Sequence, residues 1–475
     1  MGGLWRLRVS RQSVDSRQLR IEDCLPGDRL EAESRTGVLS DAMATQTRKD
    51  NEQANGRNLL EEILELGNMV QAYRRVVRNK GAAGVDGMTV DKLQPYMQTQ
   101  GNALKQKILS GNYVPQPVRR VEIPKPNGGV RLLGIPTVID RLIQQAMAQK
   151  LSELFDRTFS NSSYGFRPGR SAQQAVEQAR QHIDSGYRYV VDLDLAKYFD
   201  TVNHDLLMHL VSRKVQDKRV LKLIRAYLNA GVMLGGLVSP TEEGVPQGGP
   251  LSPLLSNVML DEFDKELEKR GHRFCRYADD CNIFVRTKKA GQRVMDNVVR
   301  FLEDKLKLKV NREKSAVDFA TKRKFLGFSF YYAKGGARIR VHRKSIDRLK
   351  AKMKGITGRS NAMSMRRRIT ELNQSIRGWV NYFRIADMKN QIREQDEWLR
   401  RRLRMCYWKQ WKKVRTRRQN LVRLGIPEGK AWEYANTRKS YWRIANSPIL
   451  ARSLTNEYLK GMGLNTLTMV YESVR

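Results

Sequence analysis

The alternation of apolar and polar positions changes character three times along the chain, and each change predicts a different kind of structure. Residues 1–55 are polar, mixed in charge and without steady periodicity, so the expectation is a disordered extension, with Met43 as an alternative initiator. From Leu59 onward, Leu59, Leu60, Ile63, Leu64 and Leu66 fall on one helical face. The stretch 81–87 (GAAGVDG) breaks that face, because its glycines take positive φ freely, and a helix over 90–109 follows. Between Tyr113 and Ile135 the pattern is that of strands. Runs at 118–123 and 130–134 flank Asn127-Gly128, a strong hairpin signal. After a helix over 141–155, helices and strands alternate to about residue 333. Past residue 344 the period is helical. Ile369, Leu372, Ile376, Val380 and Phe383 are spaced 3, 4, 4 and 3 apart, further helices are expected over 345–356 and 391–411, and Pro427 and Gly429 mark a break before shorter basic helices. The layout is α+β with an all-helical end.

Charge sharpens this division. The net charge of +39 is the footprint of a protein that follows a phosphate backbone. Residues 331–475 hold 35 Lys and Arg against 10 Asp and Glu, which leaves only +14 for the first 330 residues. The carboxylates therefore gather where strands and helices alternate, and the phosphate-seeking surface lies in the helical end. Cys24, Cys275, Cys281 and Cys406 are too few and scattered for a disulfide framework or a zinc site, which fits a reducing, cytoplasmic setting. No apolar run approaches the ~18–20 residues of a membrane span. The first residues carry no apolar core of a secretory signal.

Two acidic elements suggest chemistry. Asp279 and Asp280 sit between two short strand-like runs, 273–276 and 281–285, and adjacent carboxylates at a turn repel unless a cation offsets them. A second element, 189–195 (YVVDLDL), alternates so that Asp192 and Asp194 share one face. Spacing alone does not choose between them. Either one beside the hairpin pair gives three carboxylates able to serve phosphoryl or nucleotidyl transfer on two divalent ions. The run 243–253 (EGVPQGGPLSP) reads as a tight preformed loop. Arg119, Lys125 and Arg131, spaced six apart, would fall on one face of the basic hairpin, as a triphosphate clamp requires.

In this order the elements resemble a reverse transcriptase. More closely, the chain resembles the group II intron-encoded reverse transcriptase and maturase family, in its compact bacterial form. The likeness runs over roughly 58–475 and rests on KGAAGVDG (80–87), GIPT (134–137), YGFRPG (164–169), DLAKYFD (194–200), PQGG (246–249), RYADD (276–280), FLG (325–327) and GWVNYF (378–383). The resemblance implies a right-hand polymerase of fingers and palm, then an all-α thumb (maturase) domain and a small basic helical DNA-binding region. The corresponding boundaries are 56–110 for an N-terminal extension of the fingers, 111–335 for fingers and palm, 336–415 for the thumb and 416–475 for the C-terminal region. No His/Cys-rich run of an endonuclease module follows, which gives the expectation of a type that borrows its primer.

The family also resolves the aspartates. Its first catalytic Asp stands five residues before an aromatic and six before another Asp, which matches Asp194 with Phe199 and Asp200. Asp194, Asp279 and Asp280, with the carbonyl of Leu195, would then hold two Mg²⁺ ions, or Mn²⁺ in their place. Arg119, Lys125 and Arg131 would grip the dNTP triphosphate, Phe199 would exclude a 2′-hydroxyl, Gln247 would line the nascent base pair and Lys314 would lie near the pyrophosphate. Arg400, Arg401, Arg402 and Arg404, interleaved with Trp408 and Trp411, read as an RNA- or DNA-binding surface. The partners implied are group II intron RNA, an RNA template with a DNA or RNA primer, and target DNA; no membrane is implied, and oligomeric state is left open. The alternatives are a CRISPR-associated or diversity-generating reverse transcriptase, or a non-catalytic RNA-binding splicing factor.

Overall fold

A computed structural model describes residues 58–124, 130–234, 237–239 and 243–475. The expected extension over 1–55, the Asn127-Gly128 turn and Lys125 lie outside these described residues. The strands are β1 (Val118–Pro124), β2 (Val130–Ile135), β3 (Tyr189–Leu193), β4 (Val232–Leu234), β5 (Leu237–Ser239), β6 (Arg273–Tyr277), β7 (Asp280–Val285), β8 (Ala316–Phe319), β9 (Phe328–Ala333) and β10 (Gly336–Val341). Helices Leu59–Ile63, Leu66–Asn79 and Leu93–Leu109 precede the strands, and helices follow β10 to the end of the chain.

Two four-stranded sheets do the positioning. The fingers sheet has the order β2-β1-β4-β5, and the palm sheet β6-β7-β3-β8, with every pair in the palm antiparallel. Alternation along the palm strands feeds two cores. Val191, Leu193, Phe274 and Ile283 join a core shared with the N-terminal and fingers helices. Val190, Cys275 and Phe284, on the other face, join a core shared with β9, β10 and the helical end. A sheet buried on both faces cannot slip in register without exposing one apolar set, so the palm is a rigid base.

The helical end is one packed unit. Met365–Phe383 buries the expected stripe Ile369, Leu372, Ile376, Val380 and Phe383. Asp396, on helix Lys389–Gln410, accepts the backbone N–H groups of Leu467 (2.8 Å) and Thr468 (2.9 Å) and so caps the last helix, Leu467–Val474. The Tyr471 hydroxyl donates to the Ala386 carbonyl at 2.8 Å. Segment 416–475 therefore shares its core with the preceding thumb helices.

Candidate functional site

Register brings the carboxylates together. Leu193 pairs with Cys281 across β3 and β7, and Tyr277 pairs with Asp280 across the hairpin. Strand β3 ends at Leu193, and Asp194 follows at the tip of the sheet. Its backbone is fixed on both sides, because its N–H donates to Ser315 Oγ at 3.0 Å and its carbonyl accepts the Asn311 N–H at 2.8 Å. Leu195 bridges to Val310. Asp192, Asp194, Asp280 and Lys314 line one cleft of about 790 Å³, with Lys314 Nζ 3.7 Å from Asp194 Oδ2. Enclosure by the protein, and then the charges of Asp279, Asp192 and Asp194, push the Asp280 carboxyl up to about 6.

The cleft separates the two candidates on the 189–195 run. Arg323 donates to Asp192 Oδ2 from both Nε (2.9 Å) and Nη2 (2.5 Å), while Asp194 faces the more exposed Lys314 at 3.7 Å. Asp192 is thus already neutralised by a neighbour 131 residues away in sequence. Arg323 was not among the sequence candidates, and no local pattern marks it.

The hairpin itself is held from beneath by Arg276, which is 1% exposed. Its Nε donates to Asp264 Oδ1 (2.7 Å) and its Nη2 to Asp264 Oδ2 (2.5 Å) and Ser163 Oγ (2.8 Å). Its Nη1 donates to Asn257 Oδ1 (3.0 Å) and to the Ala278 carbonyl (2.9 Å). A buried guanidinium is tolerable only when paired and fully hydrogen-bonded, and here all its N–H groups have partners. One of them is the turn residue Ala278, whose φ of +58 costs a non-glycine residue about 1–2 kcal/mol. Arg276 therefore ties the strained turn that carries Asp279 to the helix Ser252–Lys269 behind it. Its place in RYADD was visible in the sequence, but its burial was not.

A second pocket, of about 250 Å³, lies beside the carboxylate cleft and is lined by Phe199, Gln247, Arg120, Leu132 and Gly134 among others. Glycines make it possible. A Cβ at Gly248 would come within 2.4 Å of the Gly134 carbonyl oxygen, and one at Gly244 within 2.8 Å of the Phe199 carbonyl oxygen. The Gly134 N–H donates to the Gln247 carbonyl at 2.7 Å, which locks the PQGG loop to β2. Phe199 and Gln247 thus meet in one pocket. Register places positions 119 and 131 on one face of the β1–β2 hairpin, as the clamp requires. Arg119 donates from Nε to the Ala83 carbonyl (3.1 Å), and its neighbour Arg120 lines the Phe199–Gln247 pocket from the other face.

The expected C-terminal nucleic-acid surface also needs correction. Trp408 is 1% and Trp411 8% exposed, both in the second core, so neither ring is available to stack on a base. Arg401 lies over the Trp442 ring at 3.9 Å and donates to its carbonyl, Arg402 donates to Thr357 and Lys354, and Arg404 donates to the Leu454 carbonyl. Arg400 alone of the four keeps its half-exposed place without such an anchor among the described residues. Besides Lys314 and Arg323, the cations and aromatics that line the carboxylate cleft include Lys322, Lys324, Lys344, Arg348, Trp379 and Tyr382.

Among the described residues no three His, Cys, Asp or Glu side chains stand close enough to enclose a metal on their own. The donor set still fits a hard divalent cation. It offers carboxylate oxygens at an open cleft, where a small cation takes its remaining ligands from phosphate and water.

Known proteins match in the same two parts. The family described as reverse transcriptase (RNA-dependent DNA polymerase) matches residues 123–330, and the group II intron maturase-specific domain matches residues 346–425. Protein YkfC of Escherichia coli (strain K12) is 36% identical over 301 residues, covering 55% of this chain and 79% of that protein. The group II intron-encoded protein LtrA of Lactococcus lactis subsp. cremoris is 29% identical over 331 residues, covering 56% of this chain and 55% of LtrA, so the match spans about half of LtrA's length. A solved chain titled "Partial Cas6-RT-Cas1--Cas2 complex" aligns at 25% identity over 52% of this chain and 42% of that one, with a TM-score of 0.35. With a reverse transcriptase palm followed by a maturase-specific domain, the chain belongs to the family of group II intron reverse transcriptases and maturases.

Proposed function

We propose that the protein copies RNA into DNA at the cleft lined by Asp194 and Asp280, with Asp279 on the adjoining turn, and also binds a group II intron RNA to promote its splicing, within the bacterial cytoplasm. The observation that carries the first part is the convergence of Asp194 and Asp280 in a cleft whose far wall is basic and aromatic and belongs to the thumb. In this reading Asp194, Asp279 and Asp280 hold two Mg²⁺ ions, which when bound lower the pKa of a primer 3′-hydroxyl and neutralise departing pyrophosphate. The Phe199 ring floors the pocket and meets the sugar of the incoming dNTP, where it leaves no room for a 2′-hydroxyl. Gln247 and the PQGG backbone border the new base pair, and Arg120 offers a cation to the phosphates. Lys314, reaching toward Asp194, meets charge that develops on the leaving group. Lys322, Lys324, Lys344 and Arg348 take the phosphates of the primer–template duplex. Binding of target DNA and retrohoming of the intron are part of the same proposal.

Primer extension tests the centre. Asp279→Ala should abolish dNTP incorporation on an annealed RNA template while leaving RNA affinity within about twofold. Near-wild-type extension by that variant would remove the assignment. The maturase part rests on the match over 346–425. Adding the protein to its cognate intron at low Mg²⁺ should accelerate splicing, and an unchanged rate would leave a polymerase alone.

A further inference from the structure

Loop 160–167 presents a residue that the proposed chemistry leaves unused. Phe166 exposes 55% of its surface, although a ring of that size normally buries. Its backbone stands at φ +58, in the left-handed region that non-glycine residues avoid. The surrounding loop enforces this conformation. Arg167, itself buried, donates to Asp156 Oδ1 (2.6 Å), the Ser160 carbonyl (2.5 Å), the Ser163 carbonyl (2.9 Å) and the Asp156 carbonyl (2.9 Å). Asn257 Nδ2 donates to the Gly165 carbonyl at 2.8 Å, and the Tyr164 N–H donates to the Arg276 carbonyl at 2.8 Å. Gly165 approaches the catalytic hairpin so closely that a Cβ there would come within 2.3 Å of the Ala278 nitrogen. Strain held by an over-determined loop, in order to keep an apolar ring in solvent, points to a ligand for that ring.

Its position says which ligand. The Phe166 ring lies 6.2 Å from the Tyr277 ring, tilted by 43°. Tyr277 immediately precedes the turn that carries Asp279. Tyr382, which lines the carboxylate cleft, donates its hydroxyl to the Leu326 carbonyl at 2.9 Å. The Phe166 and Tyr277 rings thus stand together at the base of the catalytic hairpin. The Phe199–Gln247 pocket lies elsewhere and does not include Phe166.

We propose that Phe166 is a primer–template contact, its ring and that of Tyr277 forming an apolar shelf for the sugar and base edge beside the primer terminus. This rests on the polymerase reading above. Held there, the terminal sugar presents its 3′-hydroxyl toward Asp279 and Asp280 rather than swinging free, a positioning effect.

Glycine at 166 separates a contact from a structural role, since it deletes the ring and relieves the positive φ together. Phe166→Gly should melt at or above the wild-type temperature. It should weaken binding of a fluorescently labelled RNA–DNA primer–template about 5- to 100-fold by anisotropy. Single-turnover incorporation at saturating duplex should fall about 10-fold, with the dNTP KM changed less than twofold. Phe166→Tyr should keep both properties. A glycine variant that binds and extends like wild type overturns the contact, and so does one whose losses track a lowered melting temperature. The anisotropy arm needs no catalysis. Wild-type protein that incorporates no dNTP, yet loses duplex affinity on Phe166→Gly, would overturn the polymerase reading and uphold the contact.

Discussion

Two stretches carry dense functional signals in the sequence, and the fold treats them in opposite ways. At RYADD, the hairpin exposes Asp279 and Asp280 at the tip of a sheet and buries the arginine that precedes them. At 398–411, Trp408 and Trp411, which read as part of a nucleic-acid surface, are turned inward, and the guanidiniums of Arg401, Arg402 and Arg404 are spent on backbone carbonyls of neighbouring helices. The difference is one of geometry. In the turn between the paired strands Ala278 packs inward while Asp280 stays exposed, a choice that two residues of one short hairpin make locally. A helix of 22 residues has several faces, and which of them meets the core depends on helices far away in sequence. Dense cation–aromatic interleaving is therefore equally the signature of packed helices crossing at close range.

The comparison can be broken, beginning with the largest effect. Trp408→Ala should cost about 3–5 kcal/mol of stability, read by chemical denaturation, while RNA affinity per folded molecule stays within about twofold. A stable variant with lost RNA affinity would restore the surface reading. At the hairpin, Arg276→Lys keeps the charge but loses the forked contacts to Asp264 and Ala278. Incorporation at saturating dNTP should fall about 10- to 100-fold with little change in dNTP KM, and the double variant with Asp264→Asn, whose buried ammonium has lost its anion, should lose stability further. Loss of stability and rate in fixed proportion would make Arg276 merely structural.

The smallest effect is with pH. The Asp280 carboxyl is raised to about 6, so it holds a proton until the pH climbs through that value. Below pH 6 a cation must displace that proton, and the divalent metal needed for half-maximal activity should rise roughly tenfold per pH unit. Sign also follows for stability: this group, raised above its unfolded value of 3.8, opposes folding above about pH 6 and ceases to do so as pH falls toward 3.8. A flat metal requirement between pH 5 and 7 would remove Asp280 from the cation site.

Much of this was legible in the chain because local rules decide it. Turn chemistry and strand alternation place the palm hairpin, and the 3.6 period places helix Met365–Phe383. What stayed hidden depends on partners distant in sequence. Parity put Asp192 and Asp194 on one face, and within the molecule Arg323 and the end of β3 tell them apart, as the family pattern around Phe199 had implied. Arg120, which lines the pocket beside the PQGG loop, was likewise not among the sequence candidates. The shared core of the thumb helices and the last segment rests on Asp396 capping a helix about 70 residues onward, which no window of sequence displays.

The most direct test sets the two aspartates against each other. Asp194→Asn and Asp192→Asn remove the same charge two residues apart, and both should leave the fold intact by circular dichroism. Single-turnover extension of an annealed RNA template should fall by about 10³-fold or more for Asp194→Asn and by less than about tenfold for Asp192→Asn. Robust extension by Asp194→Asn, with Asp192→Asn inactive, would contradict the catalytic set derived from this fold.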